Sequence, residues 1–262
     1  KEAEALIKKN FSAWVQPQEI AVHAKPGVKP YTETRIEILK DKELTSSELT
    51  LYTIEPGVEV IDNEKNYQSL IEDQVLAYMV NQRLRLLREK GEADFLSASI
   101  YHGDIFRTAM MGHISVNAKP EKWDSAVRQV MTELKRVEQH GFYQSELDKA
   151  IKKQLSDMER SIQNEANKSN KDIIGAINSS VNQGYLPMAP VQEKPILERM
   201  LKQLDIVSLH KLFKQDFCGA NYLAMAQFPE KSGLETPNKE AIAALLEDIK
   251  KIGDSLNSGD NP

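Results

Sequence analysis

The alternation of two hydrophobic periods along the chain constrains its fold more than any other feature. Apolar and polar side chains alternate at 34–39, 48–54, 95–101 and 105–117, as in strands that bury one face. Between the second and third of these segments, residues 67–89 carry apolar side chains at helical spacing. The pattern predicts antiparallel strands joined mostly by hairpins, with a long helix packed against them.

The second pair of strands is separated by His102-Gly103-Asp104, which has the composition of a tight hairpin turn. We therefore expect His102 at a hairpin tip. In the strand after it, one face is predicted to carry Phe106, Thr108, Met110, Gly112, Ile114 and Val116.

The rest of the chain is mostly helical in pattern. Pro120 suits the first turn of a helix that ends before Gly141, and Ser145 suits the cap of the next helix. Three prolines predict a loop at 184–195. The remaining predicted elements are helices at 120–140, 145–162, 172–181, 196–204, 207–217 and 239–252, and a strand at 221–228. The predicted fold class is α+β, an antiparallel sheet with a layer of long helices.

Proline content suggests where the chain divides. Residues 1–14 predict a short amphipathic helix that buries its apolar side chains, and 15–33 form a Pro-rich connection. Residues 34–228 then make up the main domain, and 229–262 a linker with one helix. Because the chain starts at Lys1 without a Met or a signal-like segment, we expect its natural start to lie upstream.

Composition excludes several classes of function. A net charge of -5 with both signs mixed offers no basic stripe, which argues against binding nucleic acid or an anionic membrane surface. The sequence contains no apolar run long enough to cross a membrane. The single cysteine, Cys218, excludes an intramolecular disulfide, and we interpret it as a buried small apolar residue rather than a nucleophile.

The sequence contains no recognisable catalytic, cofactor-binding or metal-binding motif. Zinc hydrolysis typically uses two histidines one turn apart on a helix with a Glu nearby, and no two histidines here have that spacing. The histidines are His23 in the connection, His102 and His113 near the predicted hairpin, His140 at a helix end and His210 in a short helix. We interpret His102 and His113 as surface positions and assign no catalytic, cofactor or metal residue.

Other motifs are equally missing. No glycine pattern forms a phosphate cradle, and no GxSxG nucleophile motif occurs. Glu146 and Asp148 are better explained as charges that complement a helix N-terminus than as an acid/base pair.

Three stretches, taken in order, resemble the second domain of the pitrilysin/insulinase family of zinc metallopeptidases. They are Leu6-Ile7-Lys8-Lys9-Asn10-Phe11-Ser12, Asn81-Gln82-Arg83-Leu84 and Gly141-Phe142-Tyr143-Gln144-Ser145-Glu146-Leu147-Asp148-Lys149-Ala150. Each is short, but together the resemblance covers nearly the whole chain. It implies the α+β fold of pitrilysin-like and mitochondrial-processing-peptidase-like domains.

The resemblance also implies a function. In this family the inverted zinc motif HxxEH belongs to the first domain, so zinc would be bound upstream and this chain would be inactive alone. Residues 1–14 would end that catalytic domain, and 229–262 would lead toward a second half. The chain would wall a chamber that encloses extended peptide substrates, its partners being those peptides and the other domains of the same protease.

Two points stay open in this interpretation. Some relatives have lost the zinc motif and act as scaffold or assembly subunits, for which this chain would look the same. Longer members place an Arg and a Tyr near the peptide, and the matching positions are Arg88 and Phe95. Because the Tyr is replaced, we assign no site there. The resemblance to long bacterial members suggests the periplasm.

Overall fold

The computed structural model contains one five-stranded sheet and eight α-helices within the residues that it describes, which are 2–15, 27–57, 62–105, 108–218, 221–231, 233 and 235–252. The strands are β1 (Arg35–Asp41), β2 (Ser47–Pro56), β3 (Phe95–Ile105), β4 (Ala109–Ala118) and β5 (Leu223–Pro229). The helices are α1 (Glu2–Phe11), α2 (Glu64–Glu89), α3 (Trp123–His140), α4 (Gln144–Asn164), α5 (Asn170–Gln183), α6 (Pro190–Leu201), α7 (Ile206–Phe217) and α8 (Lys239–Lys250).

The sheet has the strand order β1-β5-β2-β4-β3. Strand β2 pairs antiparallel with β4 and β5, and β3 pairs antiparallel with β4. The predicted α+β class is confirmed. The sheet differs from a simple series of hairpins in one respect. Strand β5 inserts between β1 and β2 and runs parallel to β1. Hairpin patterns cannot predict this insertion, since β5 is far along the chain.

The core lies between the sheet and the helices. Alternate residues of the central strands, such as Leu49, Leu51 and Ile114, are buried on one face. Helix α2 packs against β3 and helix α3 against β4. Helix α2 also bonds the backbone of the edge strand β3, where the Asn81 amide donates to Ile100 O (3.1 Å) and accepts from Ile100 N (2.8 Å). The long helix therefore covers both the face and part of the edge of the sheet.

The predicted hairpin tip at His102-Gly103-Asp104 is wrong. Strand β3 continues through these residues to Ile105, so the chain reverses between Ile105 and Ala109. Phe106, expected on the buried face, lies outside the described residues. A glycine is accommodated inside the strand because the ring of Tyr101 lies over the space that a Cβ of Gly103 would fill.

The predicted loop at 184–195 is also partly wrong, since α6 begins at Pro190. Pro190 occupies the first helical turn, where its missing N–H group has no intrahelical partner to lose. Pro195 lies inside the same helix. Because the prolines were interpreted only as loop signals, the prediction missed the first six residues of this helix, 190–195.

The two ends of the chain pack differently. Helix α8 buries Ile242, Leu245 and Ile249 and contacts α3 and β1, so it belongs to the packed core. Helix α1 buries no residue, which corrects the expectation that its apolar side chains are buried; Trp14, just beyond it, is 76% exposed. The domain boundaries stay a prediction, and 16–26 and 253–262 lie outside the described residues. Among the described helices, none is long and apolar enough to cross a membrane.

Candidate functional site

Helix α2 carries two charged side chains that each belong to a polar cluster, one buried and one partly exposed. The first is Arg83, which is 6% exposed. Its Nε and Nη2 donate to the two carboxylate oxygens of Glu146, each at 2.6 Å. Its Nη1 donates to Glu133 Oε1 (3.3 Å), and Nη2 also donates to the Gly141 carbonyl oxygen (3.0 Å). One guanidinium therefore fastens α2 to α3, α4 and the turn between them.

The surroundings of Arg83 complete this cluster, which we call the arginine cluster (Arg83, Glu133, Gly141, Glu146). Glu146 also accepts from the backbone N of Tyr143 (2.8 Å), and Glu133 accepts from Arg136 (2.9 Å). Burial alone would lower the pKa of Arg83, but the bonds and charges of Glu146 and Glu133 outweigh it and raise that pKa. Arg83, Glu133 and Glu146 therefore each have more than one hydrogen-bond partner.

The second cluster consists of Asp73 from α2, His102 from β3 and Asp216 from α7, which we call the histidine cluster. His102 Nδ1 lies 3.2 Å from Asp73 Oδ1 and 3.6 Å from Asp216 Oδ2. Three potential ligand atoms, one from each side chain, lie within 4.8 Å of one another. Asp216 is 7% exposed, and its Oδ2 has no hydrogen-bond partner.

The electrostatics of the histidine cluster reflect an excess of negative charge. Burial raises the pKa of Asp216 to about 6; the charge of His102 acts against this rise, and Asp73 and Glu55 add to it. For His102, burial would lower the pKa, but the hydrogen bond that its ring donates to Asp73 and the charges of Asp216, Asp73 and Glu55 raise it. The arrangement can hold a proton or a small cation between its carboxylates.

Gly112 of β4 lies beside the histidine cluster and leaves room for the side chain of Thr53. A Cβ at this position would meet Thr53 Oγ1 at 2.6 Å and His102 Cδ2 at 3.6 Å. Thr53 already uses that oxygen to accept from Gly112 N at 3.2 Å. The absence of a side chain at position 112 therefore avoids a clash with Thr53, whereas the His102 ring lies at an ordinary contact distance.

The structure separates His102 and His113, which the sequence analysis placed near the same hairpin as surface positions. In the register of the sheet, His102 lies opposite Gly112 while His113 lies opposite Tyr101. They point to opposite faces, and the interpretation of His102 as a surface position is wrong, since its side chain is 14% exposed. His210 bonds the Glu138 carbonyl oxygen through Nε2 (2.8 Å), and His23 lies outside the described residues.

The structure gives no catalytic environment to the other described residues that the sequence analysis considered. Cys218 is half-buried, and burial, followed by the charge of Glu138, raises the pKa of its thiol to about 12, so the reactive thiolate is disfavoured. Arg88 donates to the Leu96 carbonyl oxygen (3.3 Å), and Phe95 is buried in the core.

Sequence reasoning missed Asp73 and Asp216. Both stand on the apolar stripes of their helices at helical spacing, Asp73 three residues before the buried Leu76 and Asp216 three after the buried Phe213. A carboxylate on a buried stripe is costly unless it is paired, so this placement was the available signal.

Comparisons with known proteins agree with the fold. The chain is 27% identical over 224 residues to the "Probable zinc protease PqqL" of Escherichia coli, covering 82% of this chain and 23% of that protein. The crystal structure of the first half of the periplasmic protease PqqL from Escherichia coli superposes with a TM-score of 0.83 at 22% identity, over 99% of this chain and 55% of that one.

A predicted insulinase family protease from Yersinia pestis is similar with a TM-score of 0.78 at 17% identity, over 95% of this chain and 53% of that one. The chain thus spans about a quarter of the curated relative and about half of these two solved structures. The family model described as the Peptidase M16 inactive domain matches residues 1–154. Because this match covers more than half of the chain, the protein belongs to the Peptidase M16 inactive-domain family, the non-catalytic domains of insulinase-type zinc proteases.

Proposed function

We propose that this chain is the non-catalytic domain of a zinc-dependent metallopeptidase, that it walls a chamber, and that it helps to enclose extended peptide substrates. The observation that carries the proposal is the face of the sheet opposite the helices. Strand register places on that face Tyr52, His113 and Tyr101 in one row, Thr50, Ser115 and Ser99 in the next, and Glu48 and Asn117 in a third.

The row formed by Tyr52, His113 and Tyr101 is typical of a surface that binds a peptide or another protein. The rings of Tyr52 and Tyr101 lie on either side of His113, with centroid distances of 6.1 and 5.5 Å. Tyr101 is 47% exposed, and Tyr52 and His113 are half-buried. Tyrosine is enriched where proteins bind peptides and other proteins, because its ring adds apolar area and its hydroxyl can hydrogen-bond.

In the neighbouring row, Ser115 and Ser99 are partly exposed polar side chains that an extended backbone could contact, whereas Thr50 is buried. Thr50 and Ser115 hydroxyls donate to Glu48 Oε1 at 3.1 and 2.9 Å, which fixes that carboxylate on the sheet. Apolar and polar rows side by side suit a peptide whose side chains and amide groups alternate along its length.

The exposed apolar side chains of α1 support a contact with a preceding domain. Leu6, Ile7 and Phe11 are each at least half exposed, although their spacing is that of a buried stripe. Burying them would recover hydrophobic free energy, so this helix fits the end of an upstream domain. In the whole protein, that upstream domain would bind zinc. PqqL is described as a probable zinc protease of the periplasm, which suggests the same compartment here.

The aromatic row can be tested in the full-length protein with the variant Tyr101→Ser. We expect the KM for an extended peptide to rise about tenfold, about 1.4 kcal/mol, with kcat little changed, because the lost contact holds the peptide but takes no part in the chemistry. The measurement is steady-state hydrolysis of a quenched fluorescent peptide. Tyr185→Ser, which removes an exposed tyrosine just beyond α5, is the matched control.

The outcomes separate two functions. Equal KM values for Tyr101→Ser, Tyr185→Ser and the unchanged protein would mean that this face of the sheet does not contact the peptide substrate. If the full-length protein holds no zinc and cleaves no peptide, the chain instead serves as a scaffold or assembly subunit.

A further inference from the structure

We propose that Asp73, His102 and Asp216 form a binding site for a divalent transition-metal cation of the Zn²⁺ type. The site lies between the sheet and the helices, with one ligand each from α2, β3 and α7. This inference goes beyond the chamber-wall function, and it departs from the expectation that the chain binds no metal. That expectation was based on ligand spacing within one helix, whereas these ligands come from three elements.

The distances suit a small cation. With metal–ligand bonds of about 2.0–2.1 Å and tetrahedral angles, neighbouring ligand atoms lie about 3.4 Å apart. The Nδ1 atom of His102 lies 3.2 Å from Asp73 Oδ1 and 3.6 Å from Asp216 Oδ2, and the ligand atoms of all three lie within 4.8 Å of one another. A movement of no more than about 1.4 Å by one carboxylate would place the three ligand atoms at three corners of a tetrahedron.

The unpaired Asp216 oxygen is the second observation that points to a ligand. Asp216 is more than nine-tenths buried, and its Oδ2 is directed toward His102 without a hydrogen bond. Folded proteins rarely leave a buried carboxylate oxygen without a partner, because removing it from water costs free energy that a hydrogen bond or a metal must offset. A divalent cation would supply the positive charge that one imidazole cannot provide to two carboxylates.

The donor set selects the class of metal. One imidazole nitrogen with two carboxylate oxygens suits Zn²⁺ and similar cations, whereas Ca²⁺ takes six to eight oxygen ligands. Three protein ligands leave a fourth position for water. The side chains of His102 and Asp73 are 14% and 15% exposed, so solvent and ions can reach that side of the cluster.

The test is a titration of the metal-free 262-residue chain with ZnCl₂ by calorimetry, and with CoCl₂ by visible absorption. The variants are Asp216→Asn, Asp73→Asn and His102→Gln. His113→Gln is the matched control, because His113 lies on the adjacent strand but points to the other face. We expect one equivalent of Zn²⁺ to bind, a Co²⁺ spectrum typical of low coordination number, and an affinity at least tenfold weaker in each ligand variant.

Thermal unfolding shows whether a variant that fails to bind metal is still folded. We expect Zn²⁺ to raise the Tm of the unchanged chain and of His113→Gln, and not that of Asp216→Asn, whose Tm without metal shows whether it folds. No stoichiometric binding by the unchanged chain, or equal binding by Asp216→Asn and His102→Gln, would overturn the proposal. No peptide is involved, so the result is independent of the chamber-wall proposal.

Discussion

The arginine cluster and the histidine cluster each contain a charged side chain of helix α2, yet their hydrogen bonds are satisfied to different degrees. Arg83 meets two carboxylates and a carbonyl oxygen within 3.3 Å, and those carboxylates have further partners. In the histidine cluster two carboxylates share one imidazole, and Asp216 Oδ2 has no hydrogen bond. The charged groups of the first cluster are bonded to one another, whereas the second leaves a buried carboxylate oxygen without a hydrogen bond.

This difference shows what the family resemblance detects. Two of the stretches that carry it, 81–84 and 141–150, contain Arg83, Gly141 and Glu146 of the arginine cluster. They fasten three helices together, and the histidine cluster lies outside all three stretches. The shared motifs therefore report the architecture of the domain rather than chemistry performed by it.

The largest expected effect comes from Arg83→Met. The change leaves Glu146 and Glu133 buried without their cation, so we expect the free energy of unfolding to fall by about 3–5 kcal/mol. Urea unfolding followed by circular dichroism measures this loss. Arg85→Ala is the control, because Arg85 forms an exposed pair with Glu89 on the same helix and should cost less than about 1 kcal/mol.

A second substitution tests the cause of that loss. Glu146→Gln in the Arg83→Met background removes the stranded charge and keeps an oxygen for the backbone N of Tyr143, so it should recover part of the stability. If the double variant is less stable than Arg83→Met alone, the charge imbalance is not the source of the effect.

The next effect comes from Gly112→Ala beside the histidine cluster. Because the new Cβ would lie 2.6 Å from Thr53 Oγ1, neighbouring atoms must move, and we expect a loss of about 1–3 kcal/mol. Chemical denaturation of the metal-free chain measures it. Gly175→Ala in α5 is the control: nothing lies within 4 Å of its Cβ, and it should stabilise by about 0.5–1 kcal/mol. Equal effects of the two substitutions would mean that the contact with Thr53 does not exclude a side chain at position 112.

Most of the fold, but little of the site, could be predicted from the sequence. Helices α2, α3 and α4 and the strand β4 follow hydrophobic periods, which depend only on local spacing. The position of β5 between β1 and β2 depends on contacts between distant segments. The histidine cluster likewise joins residues far apart in the chain, and His102 was placed at a turn because of its neighbouring glycine. Periodicity could only have marked Asp73 and Asp216 as misplaced carboxylates.

The smallest expected effect comes from Asp216→Asn in the presence of a chelator. This substitution also distinguishes the two clusters most directly. The substitution removes a buried charge that lacks a hydrogen bond at Oδ2, so it should change the free energy of unfolding by no more than about 1 kcal/mol, toward stabilisation. The measurement is urea unfolding at neutral pH, beside Arg83→Met. A loss of several kcal/mol would mean that Asp216 is as well compensated within the protein as Arg83, and the contrast between the two clusters would fail. A neutral or stabilising change would mean that the charge of Asp216 does not stabilise the metal-free fold. That result is expected of a residue whose role is to bind a cation.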